Sequence, residues 1–167
     1  LIHGFTFLGC LTDAYKETQD IKYLNKGMEL INDWLDKHSY QSNKGSMAYH
    51  DETTALRLQY LLKFYIYAWN VISENNREKI ETRMWETAGL LSEEHFHATN
   101  TNHGMFQDIS LLLFGFYFDN GKNTLSKSYI NLAVSRLKEY FLGVFTTDGV
   151  HKEQSPNYHM MVALNIK

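Results

Sequence analysis

The sequence predicts an all-α chain of stacked helical hairpins. Three observations carry that reading. Only one proline, Pro156, is present. The long apolar segments show helical spacing rather than strict alternation. From the third segment onward, segments apolar on nearly every side alternate with amphipathic ones. A helix apolar all round must be covered on all sides, whereas an amphipathic helix can face water. The alternation therefore predicts inner helices ringed by outer ones.

The elements follow in order. A first helix is predicted over 5–17 and a second over 20–37, where Ile21, Leu24, Met28, Ile31 and Leu35 make one stripe. Residues 53–70, "TTALRLQYLLKFYIYAWN", read as an inner helix. Residues 75–95 are amphipathic, with Ile80, Met84, Ala88 and Leu91 facing inward past Glu78, Glu81, Arg83 and Glu86. The pattern repeats with 104–118 apolar all round and 124–142 amphipathic. A seventh helix begins near 157. His3, His50, His103 and His159 fall about 50 residues apart, each at or near the start of an odd-numbered helix, which is one hairpin per step. If alternate helices run in the same direction, the starts around His50, His103 and His159 share one end of the bundle.

Length and composition set the outer bounds. The 167 residues fit one domain or part of one, and 44% hydrophobic with 14% aromatic residues can fill a substantial core. The chain opens without Met and stops in "YHMMVALNIK", a helix just under way, so a piece of a longer protein is expected. No apolar run reaches the length of a membrane span, and no signal peptide is visible. A net charge of −3 gives no basic footprint for nucleic acid. The single cysteine, Cys10, excludes an internal disulfide framework and a Cys-based zinc site, and its apolar neighbours predict a small core residue.

Three polar clusters sit at the predicted helix starts: "SMAYHDETTALR" (46–57), "TNTNHGMFQD" (99–108) and "DGVHKEQSPNYHMM" (148–161). Each joins side-chain donors or acceptors to a helix N-terminus, whose free N–H groups and dipole favour an anion. Asn or Thr in the second cluster can cap the helix. His50-Asp51 is either an imidazole oriented by a carboxylate or a helix cap by Asp51. Arg57 lies inside an apolar helix, and burying an unpaired guanidinium is costly, so it needs a carboxylate partner or an acidic ligand. Gln107 adds an amide to the second cluster. Tyr158 follows Ser155-Pro156-Asn157, an entry that can hold a phenol in place. It is either a packed aromatic or, with positive neighbours, a proton-transfer group. His151, Lys152 and Glu153 are expected solvated in a loop, and His38, His95 and His97 at the surface. There is no HExxH motif, phosphate-binding glycine loop or nucleophile elbow. Proton transfer at an anionic substrate is the chemistry that is left.

"YHDETTALR", "NTNHGMFQDISLLLFGFYF" and "DGVHKEQSPNYH" resemble, in order and separation, three motifs of the heparinase II/III-like polysaccharide lyases. The resemblance runs from about residue 46 to 160, with 1–45 compatible as the preceding hairpin. It implies that 1–167 is part of a catalytic domain folded as an incomplete (α/α) toroid, followed by a β-sheet domain. It further implies β-elimination on a uronic-acid-containing polysaccharide, of the glycosaminoglycan or alginate kind. By the resemblance Asn102 matches the asparagine that neutralises the uronate carboxylate, His103 the adjacent active-site histidine, and Tyr158 the tyrosine acting as base or acid. His50, Asp51, Arg57, Gln107, Glu153 and His159 are then expected to contact substrate. Gly104 departs from the pattern, since heparan-directed members carry a larger, often basic residue there.

The expected partner is an acidic polysaccharide or oligosaccharide, with self-association through the truncated face. This stretch calls for no cofactor, and a metal held by the downstream domain is compatible with the family. Family analogy implies a periplasmic or secreted protein. Two rivals are an α/α-toroid glycoside hydrolase, using carboxylic acids from Asp51, Asp108 and Glu153, and a non-catalytic helical-repeat module that binds glycan.

Overall fold

A computed structural model of the chain describes residues 2–152 and 155–164. Thr6–Thr18 (α1) and Lys22–Lys37 (α2) form the first hairpin, and a single turn, Tyr40–Asn43 (α3), leads to a 3₁₀ turn at Met47–Tyr49. Asp51–Ala68 (α4) and Glu74–Ser92 (α5) form the second hairpin, followed by a 3₁₀ turn at Glu94–Phe96. Asn102–Phe118 (α6) and Thr124–Val144 (α7) form the third, and Pro156–Leu164 (α8) begins another step. Among the described residues no strand forms, only an isolated antiparallel bridge between Phe145 and His151. The all-α expectation holds.

Side-chain caps set the starts. Ser73 accepts from the Asn76 N–H to open α5, and Asn123 accepts from Leu125 and Ser126 to open α7. The left-handed Gln19 closes α1, its N–H returning to the Tyr15 carbonyl. Helices α1, α4 and α6 pack side by side, and α2, α5 and α7 each pair with the helix before them as a second layer. These are the inner and outer layers that the alternation predicts. Phe5, Leu8, Leu24, Ile31, Leu58, Leu61, Phe64, Ile80, Met84, Leu111 and Phe114 fill the space between the layers with no exposure. Each such side chain contributes roughly 1.5–3 kcal/mol of transfer free energy. A smaller cluster, Met105, Tyr140 and Val162, joins α6 and α7 to α8. Helices α6 and α7 approach closely at Gly115, where a Cβ would stand 3.1 Å from the Ser126 carbonyl oxygen.

On α5 the inward set Ile80, Met84, Ala88 and Leu91 is buried as expected. Of its polar set, Glu81 accepts from the Tyr65 hydroxyl at 2.9 Å, and Arg83 donates to Tyr49 Oη and the His38 carbonyl. Three expectations are corrected. Cys10 is exposed, because it falls on the outer side of α1. The α2 stripe buries Trp34, while Ile21 precedes the helix and is exposed, because the indole fills the space beside Arg57. The inner helices are not covered on all sides: Ile66 and Trp69 on α4 and Leu113, Phe116 and Tyr117 on α6 are exposed. A row of hairpins gives each inner helix lateral and outer neighbours, and one flank stays open.

Candidate functional site

The N-terminal end of α6 is where the clusters meet. Asn100 adopts a left-handed conformation, φ 61°, which turns the chain into the helix. The Thr101 hydroxyl then caps α6, accepting from the Gly104 N–H at 3.1 Å and donating to the Ala98 carbonyl at 2.7 Å. Capping thus falls to Thr101, and Asn102 and His103 stand in the first turn of α6. Gly104 allows the loop to close over this turn. A Cβ there would lie 2.3 Å from the Ala98 carbonyl oxygen, so no larger residue fits this loop path.

His103 faces the start of α4, where Asp51 opens the helix. His103 Nδ1 lies 3.0 Å from Asp51 Oδ1, and His50 Nδ1 lies 2.8 Å from the same oxygen. The two rings meet edge to face with centroids 5.5 Å apart. Asp51 Oδ1 also accepts from the Glu52 N–H, and Glu52 Oε2 stands 3.6 Å from His103 Nε2. Of the two readings of Asp51, the structure supports an oriented imidazole more than a cap alone. Two helix N-termini converge here, each a partial positive charge within its first turn.

Arg57 and Gln107 are fully enclosed, and neither reaches the rim to meet a ligand. The expected carboxylate partner of Arg57 is replaced by carbonyls and rings. Its guanidinium donates to the carbonyls of Ala48 and His3 at 2.6 and 2.9 Å and lies over the faces of Trp34 and Tyr49. Burial lowers its pKa to about 10, still charged at neutral pH. Gln107 accepts from the Ala98 N–H at 2.8 Å and donates to the Phe96 carbonyl at 3.0 Å. Each side chain therefore anchors the loop before its own helix, Arg57 the turn leading to His50 and Gln107 the turn leading to Asn102.

On the other side of α6 lies a cleft of about 530 Å³, lined by Asn100, Thr101, His97, Asp108, Arg136 and Glu139 among others. His97 and Asp108 are not surface groups: His97 Nε2 stands 3.1 Å from Asp108 Oδ2, with both side chains nearly covered. Arg136 lies 3.6 Å from Asp108 Oδ1 and donates to the carbonyls of Leu91 and Ser92. Burial raises the Asp108 pKa, against the opposing pull of His97 and Arg136. A second cleft shares Asn100 and Tyr140 and reaches His151 and Lys152. The second and third clusters thus lie along one groove, while Asp51 ties the first cluster to the same helix end.

His151, expected solvated, is buried, bridged to Phe145 and packed edge to face on its ring. The His159 ring also meets Phe145 edge to face, centroids 5.7 Å apart, and its Nδ1 accepts from the His151 N–H at 3.4 Å, so His159 packs with the turn at 145–151. His38 is half-buried, stacked on Trp34 at 4.8 Å, because the α2 terminus folds its ring back on the indole. His95 is exposed as expected. Glu153 and the Tyr158 side chain lie outside the described residues. Sequence spacing, through the repeat of histidines at helix starts, puts His50 and His103 at one end, but it missed their shared contact with Asp51, because residues on separate hairpins have no short motif.

No helix among the described residues is long and apolar enough to cross a membrane. No curated protein and no solved structure matches the chain. The family model of the heparinase II/III N-terminus matches residues 2–167. The match spans the three hairpins, the start of α8 and all three polar clusters, and on that evidence the chain belongs to the heparinase II/III N-terminal family.

Proposed function

We propose that the chain supplies the helical part of a polysaccharide lyase, an incomplete toroid that acts by β-elimination on a uronic-acid-containing polymer. The observation that carries the reading is Asn102-His103 in the first turn of α6, released from capping by Thr101, within a chain matched by the family from 2 to 167. Asn102 and the helix N-terminus mask the uronate carboxylate, which makes the C5 proton more acidic. Tyr158, as phenolate, takes that proton; the electron pair forms the C4=C5 bond, the C4–O glycosidic bond breaks, and the Tyr158 phenol returns the proton to the leaving oxygen, regenerating the phenolate. His103, held by Asp51, adds a donor beside the carboxylate.

A downstream β-sheet domain closes the site, and the protein works in the periplasm or outside the cell. Hydrolysis is less well supported, since Asp108 is turned inward to His97 and Arg136 rather than opposed to a second acid. The test is formation of unsaturated uronate, read by ultraviolet absorbance over a panel of uronate polysaccharides with the full-length protein. Tyr158→Phe should lower turnover by roughly two to four orders of magnitude while oligosaccharide binding by calorimetry survives. Parent-like turnover in that variant would remove Tyr158 from the reaction.

A further inference from the structure

Asp51 Oδ1 has three nitrogens within 3.0 Å of it: His50 Nδ1 at 2.8 Å, His103 Nδ1 at 3.0 Å and the Glu52 backbone N at 2.6 Å. As hydrogen bonds alone, both imidazoles must carry their proton on Nδ1 and crowd the same oxygen. A cation between the two ring nitrogens and the carboxylate relieves that crowding. We infer that His50, Asp51 and His103 form a divalent-metal site of the zinc class on the rim between α4 and α6.

Geometry, charge and access agree. One ligand atom from each of the three residues can be chosen so that all lie within 4.8 Å of one another. Bonds of about 2.0–2.2 Å to nitrogen and oxygen in a tetrahedron place ligand atoms about 3.3–3.5 Å apart, so the nitrogen–oxygen spacings of 2.8 and 3.0 Å must open by about 0.3–0.7 Å to admit the ion. Two imidazoles and one carboxylate are a donor set suited to Zn²⁺ rather than to Ca²⁺ or Mg²⁺, which prefer oxygen. The helix N-termini oppose a cation with about half a charge each, but Asp51 and Glu52 place two full negative charges at the same spot, and ligand bonds add to them. The His50, Asp51 and His103 side chains keep 40, 26 and 33% of their surface exposed, which leaves an entry path and a fourth position for water or a ligand oxygen. The inference does not depend on the lyase reading, with which it shares His103.

The test uses this chain, stripped with chelator, then titrated with Zn²⁺ by calorimetry and with Co²⁺ by visible absorption. The expected result is one equivalent bound, with Co²⁺ bands of a four-coordinate site. His50→Ala, Asp51→Asn and His103→Ala should each weaken binding by about 100-fold or more, beyond the 10–100-fold typical of losing an outer partner. Far-ultraviolet circular dichroism checks that each variant folds, and Asp51→Asn keeps the shape of the side chain if an alanine variant does not. His95→Ala, at an exposed histidine, should bind as the parent does. No binding at equimolar metal overturns the inference, as does binding that survives Asp51→Asn or falls in His95→Ala. Metal binding is read without substrate, so its outcome stands apart from that of the unsaturated-product assay.

Discussion

Asp108 shows how a single buried charge shapes the pH response of this chain. Its side chain is 2% exposed, and burial lifts its pKa above the ordinary 3.8 despite His97 and Arg136. A raised folded-state pKa means that the stabilising contribution is complete below the ordinary value and is lost as pH climbs through the folded value. Asp108→Asn has no such loss. The difference in melting temperature, variant minus parent, should therefore increase between pH 4 and pH 7, with about 2–4 °C for each kcal/mol in a domain of this size. Thermal unfolding by circular dichroism over that range is the measurement. A falling difference would mean that His97 and Arg136 favour the carboxylate more than burial disfavours it.

At the scale of the element, α6 is fixed at its start by a loop that leaves no room for a side chain. Gly104→Ala places a methyl 2.3 Å from the Ala98 carbonyl oxygen, and Ala98 is itself held by Gln107, so the loop cannot yield freely. Overpacking of this sort costs about 1–3 kcal/mol. Gly143, within α7, has nothing within 4 Å of its would-be Cβ, and Gly143→Ala should stabilise by about 0.5–1 kcal/mol. Chemical denaturation of both variants should give shifts of opposite sign. Equal signs would mean that the loop at 98–104 moves aside.

The same elements show what periodicity can and cannot reveal. All seven predicted helices form, because 3.6-residue spacing reports directly which face of a helix is apolar. Short pieces such as Tyr40–Asn43 and the 3₁₀ turns carry too few residues for a period. Partnership was the harder matter. His97 with Asp108, Arg57 with the Ala48 carbonyl and His151 against Phe145 are set by how hairpins and turns stack, which no local pattern encodes. At the site, the shared end of His50 and His103 was legible from the repeat, but their common carboxylate was not.

Over the whole molecule, the open flank of the inner row is the feature with a solution consequence. Leu113 and Phe116 are about half exposed or more, with Tyr117, Ile66 and Trp69 also uncovered. Exposed apolar side chains on two neighbouring helices favour association. Light scattering on this chain should show a mass rising with concentration toward that of a dimer, and Phe116→Glu should hold it at the monomer value. A monomer at every concentration would show that these side chains are too dispersed to drive pairing.

Thr101 carries the α6 cap, and Asn102 is left out of it. Under the proposed function, in which Asn102 masks the substrate carboxylate, folding and reactivity are therefore separable in heredity. A gene copy that lost Asn102 would still encode a helix with its cap in place, so selection for a folded, abundant protein could not see the loss. Descendants with the same hairpins and a silent rim would persist, and family membership alone would not tell them from working relatives.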